Sequence, residues 1–189
     1  GCNCIRVPVQ AIVNTAPAAP LGNDVSRCGD GSVTLVATST DSIFWFDANS
    51  GGTLLATGNT LVTPVLTSST TYYVESGNGC RSIRTAIQAI IEPIPGSPVA
   101  FDVSRCGTGV IVLTANSPQQ IYWYDQPSGG TLLGTGINYT TPSLLVSTTY
   151  YVEAGDNCRS IRISVDALID TVPAAPVVTD GSRCGAGSV

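Results

Sequence analysis

The sequence predicts an all-β protein built from tandem two-sheet sandwiches, and three observations support this. The chain repeats itself at a spacing of 78 residues, which is the separation of Cys28 from Cys106. Short runs of β-branched and aromatic residues alternate with turns rich in glycine and asparagine, a pattern typical of antiparallel strands. No segment shows the periodicity of an amphipathic helix.

The repeat sets the expected domain boundaries. Residues 14–91 align without a gap on residues 92–169, and the alignment matches SGGTLL, TTYYVE and CRSIR in both copies. Residues 1–13 then correspond to the last strand of a preceding repeat, and residues 170–189 to the start of a following one. Proline-containing linkers join the copies and favour a stiff head-to-tail arrangement. We therefore expect a segment of a longer tandem array.

Each repeat contains seven strand signals. In the first repeat they are LGNDV (21–25), SVTLVAT (32–38), IFWFDA (43–48), TLLAT (53–57), NTLVT (59–63), TYYVES (71–76) and SIRTAIQAII (82–91). Seven short strands with frequent turns predict an immunoglobulin/fibronectin-like sandwich. Trp45 and Trp123 lie midway along the third strand of each copy, where such folds bury an aromatic side chain. Tyr72 and Val74 share the inward face of the sixth strand.

Composition argues against several classes of function. The 189 residues carry a net charge of −5 and contain no histidine, and all eight basic residues are arginines. This balance disfavours a nucleic-acid or membrane partner. Without histidine and lysine, the usual general bases and imine-forming amines are missing, so we expect no enzyme and no cofactor. The cysteines form no C-x-x-C pair, so we expect no metal site.

The motifs carry a resemblance to a known family. The string RCGDGSVTL, followed by WFDANSGGTLLATG, TPVLTSSTTYYVES and GCRSIRTAI, resembles the Ig-like repeat of large secreted Bacteroidota surface proteins. These proteins include gliding adhesins and filaments exported by the type IX secretion system. The resemblance implies an extracellular, cell-surface location and a structural stalk or filament. Its expected partners are adjacent repeats and other filament chains.

One face of the sandwich is a candidate interaction surface. If Trp45 points inward, then Phe44, Phe46 and Tyr73 point outward, and the second copy places Tyr122, Tyr124 and Tyr151 likewise. The rings could pair across strands and with Arg84 or Arg162. They could also pack against a neighbouring filament chain, or stack on sugar rings. A structural stalk and an adhesive module therefore both stay open.

The cysteines fall into two series with the same spacing. Cys28, Cys106 and Cys184 form one series, and Cys2, Cys80 and Cys158 form the other. Cys28 is expected in the turn after the first strand and Cys80 after the sixth, at opposite ends of a sandwich. The strand 32–38 alone spans about 23 Å at about 3.3 Å per residue, whereas a disulfide needs Cα atoms within about 7 Å.

We therefore expect an interdomain disulfide between Cys28 and Cys158. By translation, the remaining four members of the two series pair with repeats outside the sequence: Cys2, Cys80, Cys106 and Cys184. An intradomain bond from Cys28 to Cys80 is the open alternative. Cys4 lies outside both series and is expected to be free or interchain.

Two short motifs suggest covalent modification. DSI at Ser42 and DTV at Thr171 resemble the Asp-Ser/Thr-apolar O-glycosylation motif of Bacteroidota.

Three carboxylates also recur, since Asp24, Asp47 and Glu75 return in the second copy. Repeated carboxylates of this kind are expected to cap turns or to face solvent.

Overall fold

A computed structural model describes residues 4–182 and 184–186. The chain divides into two compact units, Gly1–Ile94 and Pro95–Val189. The described residues form sixteen β-strands and no helix, which confirms the all-β prediction. No helical segment among them has the length and apolar character that a membrane crossing requires.

The first unit is a sandwich of two sheets. One sheet has three strands in the order β1-β3-β6, and the other has five in the order β2-β8-β7-β4-β5. Every pairing is antiparallel except that of β2 with β8, which is parallel. The strands are β1 (Leu21–Gly22), β2 (Val25–Cys28), β3 (Thr34–Thr38), β4 (Ile43–Phe46), β5 (Leu54–Thr57), β6 (Thr60–Val62), β7 (Thr70–Ser76) and β8 (Thr85–Glu92).

The second unit has the same topology. Its sheets have the orders β14-β11-β9 and β10-β16-β15-β12-β13, and β10 again pairs parallel with β16. The tandem sandwich class predicted from the sequence is therefore confirmed. The strands are β9 (Val99–Ala100), β10 (Val103–Cys106), β11 (Val112–Asn116), β12 (Ile121–Tyr124), β13 (Leu132–Thr135), β14 (Asn138–Thr140), β15 (Thr148–Ala154) and β16 (Ile163–Asp170).

Each unit has eight strands rather than the seven expected, because the first predicted strand divides between the two sheets. β1 pairs with β3, whereas β2 pairs with β8 in the other sheet. Asp24 lies at the crossing, and its Oδ1 accepts a hydrogen bond of 2.7 Å from the Gln88 backbone N–H. The carboxylate thus satisfies a donor on β8 where the chain changes sheets.

The division also moves Cys28 from its expected position. Cys28 is the last residue of β2 rather than part of a turn, and it lies beside Glu92, the last residue of β8. Residues 4–20 and 171–182 form no strand. The assignments of residues 1–13 and 170–189 to neighbouring repeats therefore stay predictions.

The core of each unit is built around one tryptophan. Trp45 and Trp123 are fully buried, as the sequence predicted, and each indole N–H donates to a glycine carbonyl, that of Gly58 (2.9 Å) or Gly136 (3.0 Å). Tyr72 and Val74 are buried as expected. Removing a buried side chain of tryptophan size typically costs about 3–5 kcal/mol, so these two side chains are central to stability.

In each unit a buried threonine joins the segments that flank two paired strands of the three-stranded sheet, β3 and β6 in the first unit. Thr63 Oγ1 accepts a hydrogen bond of 2.9 Å from the Val33 backbone N–H and donates one of 2.9 Å to the Pro64 carbonyl. Thr63 is 3% exposed, and Thr141 occupies the same position in the second unit with 2% exposure. The hydroxyl is therefore part of the buried hydrogen-bond network rather than a surface group.

Replacing this hydroxyl by a methyl group should destabilise the first unit. In Thr63→Val the Val33 N–H loses its acceptor while staying buried, and we expect a loss of about 1–3 kcal/mol. Chemical unfolding of the first unit can be followed by Trp45 fluorescence in a Trp123→Phe background. The control Thr34→Val changes an exposed threonine of β3 and should stay within about 0.5 kcal/mol. Equal losses in both variants would contradict the assignment.

Candidate functional site

The aromatic side chains singled out in the sequence lie together on the outer surface of the five-stranded sheet. In the first unit β4 pairs with β7, which sets Phe44 opposite Glu75 and Phe46 opposite Tyr73. All three rings are half-buried. We call this outer surface of β4, β7 and the start of β8 the aromatic face of the unit.

Arginine side chains cover the phenylalanine rings of this face. The guanidinium carbon of Arg81 lies 3.4 Å from the ring centroid of Phe44, and that of Arg84 lies 3.5 Å from the centroid of Phe46. Arg84 Nε also donates to Glu75 Oε2 at 2.9 Å. Both distances to the rings are well within the range of cation–π interaction.

The Arg84 guanidinium also holds the turn between β4 and β5. Its Nη1 donates to the carbonyl oxygens of Ala48 and Gly51, the latter at 2.8 Å. The side chain is 11% exposed, and that of Glu75 is 13% exposed. One arginine thus joins β8, β7 and the β4–β5 turn through partly desolvated charge-assisted hydrogen bonds.

The second unit repeats this arrangement with tyrosines in place of phenylalanines. Arg159 lies 3.3 Å from the ring centroid of Tyr122, and Arg162 lies 3.3 Å from that of Tyr124. Arg162 Nε donates to Glu153 Oε2 at 3.0 Å. The backbone oxygens that it contacts are those of Gln126 (2.8 Å) and Gly129 (2.7 Å). Tyr151 pairs with Tyr124 across the strands, as Tyr73 pairs with Phe46.

The sequence indicated Arg84 and Arg162 but missed the contributions of Arg81 and Arg159. The signal was present in CRSIR, which places two arginines three residues apart at the entry to the last strand of each unit. The turn between them is fixed by Ser82, whose N–H donates to the Ser76 carbonyl at 2.9 Å. That turn brings both guanidinium groups to the same face, which strand alternation alone does not predict.

Electrostatics support a structural role for the recurring carboxylates. The Thr53 backbone N–H donates to Asp47 Oδ1 at 2.7 Å, and this hydrogen bond lowers the pKa of Asp47. Burial raises the pKa of Tyr124, and its hydrogen bond to Glu153 and the charge of that carboxylate add to the effect. Asp47 accepts a hydrogen bond within the β4–β5 turn, as expected of a capping carboxylate. Asp24 instead accepts from β8, and Glu75 forms an ion pair with Arg84, so neither of these two has the expected role.

The first unit contains one cysteine of each series, Cys28 and Cys80, and these two residues lie at opposite ends of one sheet. Cys28 adjoins Glu92 at the end of β8, whereas Cys80 precedes the start of β8 at Thr85. The eight residues of β8 span about 23 Å at about 3.3 Å per residue. Cys28 is disulfide-bonded, while Cys80 is a free thiol whose Sγ lies 4.0 Å from the Asn14 carbonyl oxygen.

In the second unit the states of the two cysteines are reversed. Cys106 ends β10 beside Asp170 and is a free, exposed thiol. Cys158 is disulfide-bonded and only 6% exposed. Cys4 and Cys184 are free and exposed, and Cys2 lies outside the described residues.

The remaining sites named from the sequence lie on the surface. Ser42 is exposed in the loop between β3 and β4, and Thr171 is exposed directly after β16. Their glycosylation stays a prediction. No group of three or more metal-ligating side chains occurs within residues 4–182 and 184–186.

Removing the Arg84 side chain should destabilise the first unit more than removing Arg81. Arg84→Ala loses the ring contact, the Glu75 pair and two bonds to backbone carbonyls, so we expect a loss of about 2–4 kcal/mol. Arg81, 43% exposed and 3.8 Å from Glu75, should contribute about 1 kcal/mol or less. Trp45 fluorescence during unfolding in the Trp123→Phe background measures both. A larger loss in Arg81→Ala would overturn this ranking.

The pKa of Asp47 predicts a pH-dependent contribution to stability. Because the folded-state pKa lies below the ordinary value of 3.8, the charged carboxylate stabilises the fold above that value. The contribution disappears as the pH falls through the folded-state pKa. Asp47→Asn should therefore be less stable than the parent at neutral pH and equal to it in strong acid.

The measurement is a series of first-unit unfolding curves from strong acid to neutral pH. Asp125→Asn, the equivalent change in the second unit, serves as the matched control and should leave the first-unit curves unchanged. A difference between Asp47→Asn and the parent that persists unchanged into strong acid would contradict the linkage.

Comparison with known proteins assigns the sequence to a family. The family model described as Ig-like domain CHU_C associated matches residues 17–93 and again residues 95–170. A search of curated protein sequences finds no match for the chain. Among solved structures, the fibronectin(III)-like modules of Clostridium thermocellum CbhA share 14% identity, with 84% of this chain and 96% of that chain covered and a TM-score of 0.51.

Titin domains A168–A170 share 16% identity over 82% of this chain and 62% of theirs, with a TM-score of 0.48. At these identities the structural comparisons concern the fold alone. The family match covers most of the chain and confirms the resemblance carried by the sequence motifs. The chain therefore belongs to the CHU_C-associated Ig-like domain family, of which it contains two tandem copies.

Proposed function

We propose that this chain is a structural repeat segment of an extracellular bacterial surface stalk or filament, in which disulfides join neighbouring repeats. The observation that carries the proposal is the state of the cysteines in the two units. Domains of this family are typical of extracellular surface proteins and belong to a non-catalytic fold. Export by the type IX secretion system and a place on the cell surface are parts of the same proposal.

The cysteine states favour bonds between repeats over bonds within them. Cys80 and Cys106 are free thiols, so neither unit has a disulfide between its own members of the two cysteine series. Cys28 and Cys158, the other members of the two pairs, are disulfide-bonded. We propose that they bond to each other. The thiols of Cys80 and Cys106 would then form equivalent disulfides with cysteines of further repeats.

Such bonds would act on the array as a whole. A disulfide that closes a long loop restricts the unfolded chain and stabilises the folded one, typically by about 2–4 kcal/mol. A bond from Cys28 to Cys158 would close a loop that contains most of both repeats. It would add a second covalent connection beside the proline-containing linker and so limit bending at that junction.

The aromatic face supports a structural role more than an adhesive one. A sugar ring that stacked on Phe44 or Phe46 in the usual way would compete with Arg81 or Arg84 for the ring. The chain's own side chains already provide the cation, the carboxylate and the hydrogen bonds of this surface. Packing against another filament chain would have to use the outer side of the guanidinium groups.

Glycosylation belongs to the same proposal. Ser42 and Thr171 are both exposed and outside the strands, so a glycosyltransferase could reach their hydroxyl groups. The peptides that contain them should carry a mass increment in protein purified from its native source.

A disulfide map under non-reducing conditions tests the pairing directly. Arginine-specific cleavage of the alkylated chain yields fragment 28–81 with Cys28 and Cys80, and fragment 106–159 with Cys106 and Cys158. Each fragment contains one glutamate, Glu75 or Glu153, which separates its two cysteines. Glu-specific cleavage should leave 28–75 bonded to 154–159.

The outcomes are distinct. A bond between 28–75 and 76–81 would establish the intradomain pair and overturn the proposal. Cys28→Ser should abolish the cross-linked product, whereas the matched control Cys106→Ser should leave it intact. A product that survives Cys28→Ser would equally refute the pairing.

A further inference from the structure

The loop between β7 and β8 of the first unit contains the one Asn-Gly pair in the sequence, Asn78–Gly79. Both residues are exposed. A Cβ built on Gly79 would meet no atom within 4 Å, so the space on that side of Gly79 is open. The Asn78 side chain is held by one exposed hydrogen bond to Asp41, which must break before the amide can fold over the Gly79 nitrogen.

We propose that Asn78 is a site of spontaneous deamidation that converts it to aspartate or isoaspartate. The Gly79 backbone nitrogen attacks Cγ of Asn78 and forms a five-membered succinimide, while the side-chain amide leaves as ammonia. Water then adds to either carbonyl of the ring and opens it, giving aspartate or isoaspartate. One water is consumed and one ammonia released, with no change of oxidation state.

The same chain contains an internal contrast at Asp30–Gly31. A succinimide could form there by the same attack with loss of water, but the Gly31 N–H donates to the Leu66 carbonyl at 2.9 Å. Gly31 is also buried beneath the guanidinium of Arg27. By comparison, the Gly79 N–H has no hydrogen-bond partner among the described residues. The nitrogen of Gly79 is therefore available for attack, whereas that of Gly31 is held.

The reaction would change a contact between two loops. Asn78 Nδ2 donates to Asp41 Oδ1 at 3.2 Å, which joins the β7–β8 loop to the β3–β4 loop. After deamidation two carboxylates face each other there, and the hydrogen bond is lost. The loop cannot simply move away, because the Gly77 N–H is bonded to the Ser42 carbonyl at 2.9 Å.

The second unit shows how the altered charge can be accommodated. At the positions equivalent to Asp41 and Asn78 it has Gln119 and Asp156. The amide and the carboxylate have exchanged positions between the two units, so each unit has one amide and one carboxylate at this pair of loops. Deamidation of Asn78 would leave the first unit with two carboxylates and no amide, a combination that neither unit has.

The first experiment measures the chemistry on the full chain. After incubation in mildly alkaline buffer, peptide mapping should find the acid in place of the amide at Asn78, with isoaspartate detected by an isoaspartyl methyltransferase. Asn49, Asn116 and Asn157 precede other residues and should stay unchanged. Asn78→Gln should suppress the reaction, because the longer side chain must close a larger ring. No conversion at Asn78, or equal conversion at the other asparagines, would overturn the proposal.

The second experiment measures the consequence for the fold. Asn78→Asp should lower the unfolding midpoint of the first unit relative to the parent. The double variant Asp41→Asn/Asn78→Asp restores one amide and one carboxylate in the exchanged order, and it should recover most of the loss. An unchanged midpoint in Asn78→Asp, or no recovery in the double variant, would refute the proposed effect on the loops. Neither experiment depends on how the cysteines pair.

Discussion

The register of β4 against β7 is the constraint on which most of each unit depends. Trp45 lies opposite Val74, and its neighbours Phe44 and Phe46 lie opposite Glu75 and Tyr73. Because successive side chains point to opposite faces, a shift of one residue would turn the tryptophan outward and the phenylalanines into the core. The same register holds for Trp123 and Val152 in the second unit. The register of β4 against β7 thus determines both which side chains enter the core and which form the aromatic face.

The two units show which parts of this design tolerate change. In the second unit Tyr139 stacks on Trp123 with ring centroids 5.8 Å apart and contacts Tyr150 at 5.2 Å, whereas the equivalent of Tyr139 in the first unit is Leu61. Burial raises the pKa of Tyr139 and of Tyr150. The core beside the tryptophan therefore accepts either an aliphatic or an aromatic neighbour. The arginine contacts on the outer face keep their geometry in both units, even though the rings differ.

Much of this architecture could be predicted from the sequence, because alternation and repetition are local signals. They identified the sandwich, the inward tryptophans and the outward aromatic residues. They did not reveal that the first strand divides, because β2 pairs with β8 and Asp24 accepts a hydrogen bond from that strand, which lies far along the chain. They also missed the role of Arg81, since its position over Phe44 depends on the conformation of a loop. Interactions set by distant partners or irregular turns have no local pattern to recognise.

The stacking of the arginines has a consequence for cleavage by proteases. A trypsin-like protease must draw an extended arginine side chain into its specificity pocket before it can cut. Arg84 and Arg162 are held against a ring, a carboxylate and two backbone carbonyls each. Pulling either side chain free means breaking all of these contacts at once, and the sequence offers no lysine as a substitute. At these two positions a folded repeat is a poor substrate for that class of protease, so local resistance to cleavage follows from the same contacts that fix the sheet.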